Sequence, residues 1–413
     1  MGKAVLMIAF HFPPAAMGSG HLRTVGFARH LPALGWDPMI LSAREIAYSR
    51  TAPLRSDSVP EGCVVSRSFG LDARRHFGIA GKYPGFLAQP DRWITWWPAA
   101  VLQGLRMIRH HNVRAIWSTY PIMTAHCIAR TLSRITKVPW VADFRDPVTS
   151  SVSSENPHAL ASQHRWEPRV LQTAARSVFT TRGALLDYAH RYPEMYRQDR
   201  LVVIQNGYDD KAFSDLPDAG RPLTERPLVL VHSGLLYPEG RNPVPFFFAL
   251  ANLKRAGVID AERLRVVLRA SGSESEYRSE LRRFGIEDIV TLAPQVSNRD
   301  ALIEQAGADA LLLFQGEKYD RQIPAKVYEY LKIGHPIFAL VGQCGDTAAL
   351  LRESGGAELV PPDDIAQIEQ RLATFIENVR SGCASTAKPD DVVRYSRRSG
   401  ASLLASLLDE VAC

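Results

Sequence analysis

The chain has 413 residues, of which 46% are hydrophobic and 22% charged, and its formal net charge is +6. That length is too great for a single hydrophobic core and predicts two or three domains of ordinary globular composition. No apolar run approaches the roughly 20 residues of a membrane-spanning helix. The scattered cysteines form no Cys-x-x-Cys pair, which argues for a reducing cytoplasm and against a zinc site or disulfide framework. The positive charge fits nucleic acid, an anionic membrane or phosphorylated small molecules, and the lack of a nucleic-acid motif favours the last two.

Short apolar stretches alternate with longer helical ones, a pattern typical of parallel α/β sheets. The first apolar run leads into Pro13 and Pro14 without a cleavage site, so we interpret it as a strand rather than a signal peptide. The alternation restarts at Pro227. Strands are predicted in the first half at 4–10, 38–42, 63–67, 115–118, 139–143, 177–180 and 201–204, and in the second half before Gly234 and at 264–269, 289–292, 309–314, 337–341 and 357–360. Helices are predicted near 20–34, 97–111, 121–136, 158–174, 244–256, 274–284, 298–306, 325–333, 346–353 and 363–380.

Two successive strand-first units predict two Rossmann-like domains, 1–210 and 211–390, with a hinge in the Pro/Gly/Asp-rich stretch 206–226. The remaining segment, 391–413, ends in a helix with one apolar face. This helix either crosses back to dock on the first domain or packs on its own domain. The local sequence leaves both arrangements open.

The most informative stretch is a predicted short helix between Pro324 and Gly334. Proline can open a helix and glycine can end one. Lys326 and Glu329 lie three residues apart and so share one helix face. A lysine and a carboxylate at the mouth of a helix suit a ligand with both phosphate and hydroxyl groups, such as a nucleotide sugar. A solvated ion pair on a surface helix is the alternative.

Further candidates follow other strands of the second half. Gly234 ends one strand, and the loop after it places the guanidinium of Arg241 where it would suit a diphosphate in an interdomain cleft. An exposed loop arginine is the alternative. Weaker signals, also at strand ends, are Gly272 with Ser273 and Asp346 with Thr347.

In the first half, Gly18 and Gly20 follow the first strand and open a helix, where backbone N–H groups can bind an anion. Arg23 replaces the third glycine of a dinucleotide fingerprint and would add positive charge near a phosphate. A plain strand–helix turn is the alternative.

Three charged residues, Asp143, Arg145 and Asp146, directly follow another buried strand. Ligands of open α/β sheets sit beyond such strand ends, so these residues are predicted to act in catalysis. A self-satisfied cluster that caps a loop is the alternative.

The segment 74–97 interleaves basic and aromatic residues. Such a mixture suits a membrane interface. Aromatic side chains in the core beside merely solvated charges are the stronger alternative, and stacking on single-stranded nucleic acid is a distant third. No histidine cluster has the spacing of a metal site.

Five of these segments, in order, together resemble the GT-B glycosyltransferases of family 4, and in particular a bacterial branch with a DFRDP motif. The likeness covers nearly the whole chain. It rests on the glycine loop 12–20, the run 140–147, the strand and loop 203–209, the loop 233–241 and the helix 324–336.

The resemblance implies a GT-B fold, in which two Rossmann-like, doubly wound α/β domains face a central cleft. It implies that Glu329 binds the donor ribose, that Arg241 and Lys326 face the donor diphosphate, and that Gly18 and Gly20 border the cleft. Two features depart from the family pattern. Arg321 stands where many members have a first glutamate, and Arg145 stands where several have a histidine.

The expected activity is therefore hexosyl transfer from a nucleotide sugar to a saccharide or lipid-linked saccharide, in bacterial polysaccharide synthesis. The resemblance implies retention of anomeric configuration, with no metal and no cofactor. The enzyme would be cytoplasmic, with an anionic membrane contact through 74–97 as a further hypothesis. A sugar-nucleotide epimerase of the same fold and a non-catalytic, partner-binding subunit are the alternatives.

Overall fold

The computed structural model describes residues 2–16, 20–53, 58–79, 83, 85–148, 157–216 and 226–413. The chain divides into two compact units. Unit 1 comprises Met1–Asn206 and Arg397–Cys413, and unit 2 comprises Gly207–Ser396. Each unit contains one entirely parallel sheet, so the predicted pair of parallel-sheet α/β domains is confirmed.

Unit 1 is built on a seven-stranded sheet in the order β3-β2-β1-β4-β5-β6-β7. Its strands are β1 (Lys3–Ile8), β2 (Trp36–Ala43), β3 (Val64–Ser68), β4 (Val113–Thr119), β5 (Trp140–Phe144), β6 (Arg176–Phe179) and β7 (Leu201–Val203). The helices between them are α1 (His21–His30), α2 (Ala73–His76), α3 (Trp96–His110), α4 (Met123–Thr136), α5 (Pro157–Thr173), α6 (Arg182–Arg191) and α7 (Pro193–Arg197).

Helices cover both faces of this sheet, as a parallel sheet requires. Along β1, Leu6 and Ile8 join the hydrophobic cluster on one face, whereas Val5 and Met7 join the cluster on the other. Alternate residues of a strand point to opposite faces, so one short apolar run supplies both clusters.

Unit 2 is built on a six-stranded sheet in the order β10-β9-β8-β11-β12-β13. Its strands are β8 (Leu228–Ser233), β9 (Leu264–Arg269), β10 (Val290–Ala293), β11 (Ala310–Gln315), β12 (Ile337–Val341) and β13 (Ala357–Val360). The helices are α8 (Val244–Arg255), α9 (Glu274–Phe284), α10 (Asn298–Ala306), α11 (Ala325–Ile333), α12 (Asp346–Ser354), α13 (Ile365–Arg380) and α14 (Pro389–Val392).

The chain ends in α15 (Arg397–Ala412), which belongs to unit 1. Its buried Leu404 and Leu408 share a hydrophobic cluster with Phe27 of α1. Trp36 donates its indole N–H to the carboxylate of Asp409 at 3.2 Å. An apolar helix face together with this polar contact fixes the last helix on unit 1.

In each sheet the strand order reverses once, between β1 and β4 in unit 1 and between β8 and β11 in unit 2. In the second case Leu230 lies opposite Ala310, so the carboxyl ends of β8 and β11 reach the same edge. Ligands of doubly wound sheets bind beyond the strand ends at such a reversal. The topology therefore directs attention to the residues that follow β8 and β11.

Candidate functional site

Gly234 is the first residue after β8 and closely approaches Lys326 of α11. Its φ is +122°, a conformation that side chains disfavour. A Cβ atom at this position would lie 2.7 Å from the Lys326 Nζ. Glycine is thus required both for the turn and for the room that the ammonium group occupies.

Helix α11 presents Lys326 because both ends of the helix are fixed. It starts at Ala325, directly after Pro324, and stops at Gly334, which has a φ of +81°. Both ends agree with the prediction from sequence. Lys326 therefore lies in the first turn, where backbone N–H groups and the helix dipole favour an anion.

Arg241 is held at the carboxyl end of β11. Its backbone pairs with that of Tyr237 in an antiparallel bridge. Its Nε donates to the buried Gln315 Oε1 at 3.1 Å, and its guanidinium lies over the rings of Tyr237 and Tyr319 at 5.3 and 5.6 Å. Gln315 is the last residue of β11, so the strand reversal itself positions this cation.

Electrostatic interactions connect Lys326, Arg241 and Glu329. Burial and then the charge of Arg241 lower the pKa of Lys326 to about 7, while Glu329 opposes the shift. The predicted lysine, arginine and carboxylate are therefore brought together, although 85 residues separate Arg241 from Lys326. A dianionic ligand would relieve the repulsion between the two cations.

His232 also belongs to this group, and sequence reasoning missed it. It is fully buried in β8, and its Nε2 lies 3.3 Å from the Lys326 Nζ. Burial, followed by the charge of Lys326, holds its pKa well below the usual value. A histidine at the end of an apolar strand was the only signal in the sequence, and the contact spans 94 residues.

Gly272 and Ser273 lie in the loop after β9, which contacts the loop after β8. The backbone N–H of Leu236 donates to the Ser271 carbonyl at 2.8 Å, which ties the loop after β8 to them. Gly272 has a φ of +86°. The buried hydroxyl of Ser271 has no hydrogen-bond partner among the described residues.

Asp346 and Thr347 begin α12 and contact the loop before α11. The Thr347 hydroxyl donates to the Gln322 carbonyl at 2.9 Å, and the Asp346 N–H donates to the Asp320 carbonyl at 2.6 Å. These contacts support the segment that leads to α11, and they reach Lys326 only through that segment.

In unit 1, Arg145 lies against the start of α1. A Cβ on Gly20 would clash with the Arg145 Nη1, so Gly20 permits this approach. Arg145 donates from Nε and Nη2 to the Asp146 Oδ2 at 3.2 and 3.1 Å. Gly18, the other predicted glycine, lies outside the described residues.

Asp143 and Arg23 form a buried ion pair. The Arg23 Nη2 lies 2.8 Å from the Asp143 Oδ1, and Nη1 and Nη2 donate to the carbonyls of Gln205 and Ile204. Arg23 was expected to add positive charge near a phosphate, and that expectation was wrong because the guanidinium is already paired. Asp143 also accepts from Thr119 and is fully buried, so it acts here as an internal contact.

His11 follows β1 and was not singled out from the sequence. Burial, and then the positive charges of Arg145, His21 and Arg92, lower its pKa to about 3. Unit 1 therefore also gathers cationic side chains beyond its strand reversal. The position of His11 directly after a buried strand was the available signal.

The basic and aromatic segment 74–97 divides into core and surface. Trp96 and Trp93 are buried, and Arg92 stacks over the Trp93 ring at 4.3 Å. In contrast, Ile79 is 83% exposed and Phe86 73% exposed. Lys82 lies outside the described residues.

The described residues contain no group of three or more His, Cys, Asp or Glu side chains that could hold a metal ion. No helix in the described ranges is long and apolar enough to cross a membrane.

Comparison with known proteins shows likeness in structure only. No protein-family model matches the chain, and no curated protein matches it by sequence. Three solved structures are similar over nearly their whole lengths. They are sucrose-phosphate synthase from Thermosynechococcus elongatus (14% identity, 99% of this chain and 96% of that one, TM-score 0.63), HepE from Anabaena in complex with UDP and glucose (15%, 99% and 100%, 0.61), and the lipopolysaccharide outer core galactosyltransferase WaaB (14%, 98% and 100%, 0.62).

These structures are GT-B glycosyltransferases, and the chain has the GT-B fold. The expected fold class is thereby confirmed. Identities of 14–15% establish the fold alone.

Proposed function

We propose that this chain is a glycosyltransferase that moves a sugar from a nucleotide-sugar donor to a saccharide or lipid-linked saccharide. The observation that carries the proposal is the grouping of Arg241, Lys326 and Glu329 beyond the reversal of the unit 2 sheet. The solved HepE complex, a structural neighbour, contains UDP and glucose. The proposal includes membership of glycosyltransferase family 4, in its DFRDP branch.

Unit 2 is the donor domain in this proposal. Arg241 and Lys326 bind the diphosphate, because a lysine at the start of a helix and a neighbouring arginine can stabilise the charge that develops on the leaving group. Glu329 accepts hydrogen bonds from the ribose hydroxyls. Gly234 and Gly272 allow the backbone to approach the nucleotide, while Ser273, Asp346 and Thr347 line or support the site.

Unit 1 is the acceptor domain, and no metal takes part. The bond between the anomeric carbon and the diphosphate oxygen breaks, and the acceptor oxygen bonds to that carbon with retention. The acceptor hydroxyl gives its proton to the departing diphosphate. Arg145 has the catalytic role, and Gly20 gives its guanidinium room at the start of α1. Asp146 orients Arg145, whereas Asp143 contributes by positioning, because Arg23 occupies its carboxylate.

The acceptor is proposed to reach the enzyme at the cytoplasmic face of an anionic membrane, in polysaccharide synthesis. Exposed Ile79 and Phe86 support this proposal, since large apolar side chains in water gain by insertion among lipids. The exposed side chains of Arg74 and Arg75 on α2 add positive charge to the same segment.

The test is a thermal-shift screen of nucleoside diphosphates and nucleotide sugars, followed by product analysis with and without saccharide acceptors. Binding of a donor and its consumption only when an acceptor is present would support transfer. Conversion of the donor to another nucleotide sugar without acceptor would indicate an epimerase. Failure of every nucleotide to bind would indicate a non-catalytic subunit and would refute the proposal.

A further inference from the structure

His232 is in an unusual hydrogen-bonding position. Its Nδ1 lies 2.9 Å from the Leu312 carbonyl oxygen, and its Nε2 lies 3.1 Å from the Gly234 carbonyl oxygen. The third contact is Nε2 to the Lys326 Nζ at 3.3 Å. A carbonyl can only accept, and a neutral imidazole carries one N–H, so at most one of the two carbonyls can be satisfied by neutral His232.

The lysine resolves this conflict. With the ring proton on Nδ1 donated to Leu312, the bare Nε2 can accept a hydrogen from the Lys326 ammonium group. That arrangement gives the ammonium group a buried acceptor within unit 2. If Lys326 loses its proton, the neutral amine is a weaker donor to the Nε2 lone pair, because the hydrogen bond is no longer charge-assisted.

The charged and titratable groups around the pair come from two elements, the loop after β8 and α11. Arg241 acts on both residues from the loop after β8 and opposes positive charge on each. Glu329 of α11 favours the charged form of Lys326. The Tyr330 hydroxyl lies near the same Leu312 carbonyl, at 3.4 Å, and burial raises its pKa, so it stays protonated.

We infer that His232 is a positioning residue that holds the ammonium form of Lys326, and that binding of a donor diphosphate is accompanied by uptake of a proton by Lys326. The inference rests on the proposed function, since it takes a nucleotide sugar as the ligand. Two phosphate charges stabilise the ammonium group, whereas in the empty site Arg241 and burial disfavour it. The proton comes from solvent.

The experiment is calorimetric titration of the full chain with a nucleotide sugar in pairs of buffers that differ in ionisation enthalpy. The probe is whichever of UDP-glucose, UDP-N-acetylglucosamine, dTDP-glucose, GDP-mannose and ADP-glucose binds. Their diphosphates are diesters and release no proton near neutral pH. Because the pKa of Lys326 is lowered to about 7, uptake should be about 0.1 proton at pH 6 and about 0.9 at pH 8, with affinity about tenfold weaker at pH 8.

Variants separate positioning from mere packing. His232→Phe keeps a ring but offers no acceptor, so the onset of proton uptake should move to lower pH and affinity at pH 8 should fall. His232→Gln places a side-chain oxygen near the Nε2 position. It should restore both the onset of proton uptake and the affinity at pH 8. Lys326→Met should abolish pH-dependent uptake, while Lys332→Met, on the same helix, should leave it unchanged.

The outcomes are distinct. Donor binding with no proton uptake at either pH overturns the inference and leaves the proposed function standing. Binding of none of the sugars overturns both. If His232→Phe does not fold, the NMR titration of the lysine Cε signals in the wild-type chain decides. A signal with a midpoint near pH 7 that disappears in Lys326→Met supports the inference, and only normal lysine midpoints overturn it.

Discussion

Removing the Asp143 carboxylate should destabilise unit 1 strongly. The side chain is fully buried and accepts from the Arg23 Nε at 3.1 Å and Nη2 at 2.8 Å, and from the Thr119 hydroxyl at 2.9 Å. In Asp143→Ala the guanidinium of Arg23, 6% exposed, would keep neutral acceptors alone, the carbonyls of Ile204 and Gln205 and the Asn206 Oδ1. Breaking a buried ion pair in this way costs about 3–5 kcal/mol.

Urea unfolding followed by tryptophan fluorescence measures this cost. Every tryptophan of the chain lies between Trp36 and Trp166, within unit 1, so the signal reports that unit in the intact protein. A loss of 3–5 kcal/mol should lower the midpoint by about 1–2 M for an ordinary dependence on urea.

The matched control is Asp146→Ala. Its carboxylate also pairs with an arginine, but the side chain is 41% exposed, so the change should cost only about 0–1 kcal/mol. Arg23→Met combined with Asp143→Leu should recover most of the lost stability, because no buried charge is then left without a partner. Equal midpoints for Asp143→Ala and Asp146→Ala would refute the reasoning.

Three further predictions concern the site and the surface. Gly234→Ala should weaken donor binding at least tenfold in calorimetry, because a Cβ would meet the lysine ammonium at 2.7 Å. Gly382 also has a positive φ but no atom within 4 Å of its Cβ position, so Gly382→Ala should leave affinity unchanged. Glu329→Ala should weaken nucleotide affinity by about 1–3 kcal/mol, the scale of a charge-assisted hydrogen bond, and unchanged affinity would contradict its assignment. Replacing Ile79 and Phe86 together by serine should reduce flotation with anionic liposomes, and equal flotation of both forms would remove the membrane proposal.

Local pattern predicted the sheets because each strand is an apolar run with its own boundaries. The run ending at Val341 was placed with its observed ends, and α11 was bounded by its proline and glycine. Helices α6 and α7 were missed, because the stretch 182–197 mixes polar and apolar residues without a clear apolar stripe. Their stability comes from contacts such as that of buried Tyr188 with the core, which no local pattern records.

The candidate site was predictable residue by residue but not in its contacts. Motif and resemblance pointed to Arg241 and Lys326, whereas the contact of Lys326 with His232 depends on how β8 and α11 pack. The role of Arg23 was misjudged for the same reason, since its partner lies 120 residues away in β5. Sequence indicates which charges follow strands, and packing decides which of them neutralise each other.

The central claim is that a nucleotide sugar binds beyond β8 and β11 of unit 2. Hydrogen–deuterium exchange of the intact chain, with and without the sugar nucleotide that the thermal screen selects, tests it most directly. We predict slower exchange in peptides that cover 233–241 and 325–333, the loop and helix that carry Arg241 and Lys326. Unchanged exchange in both peptides, with protection elsewhere in the chain, would contradict the claim.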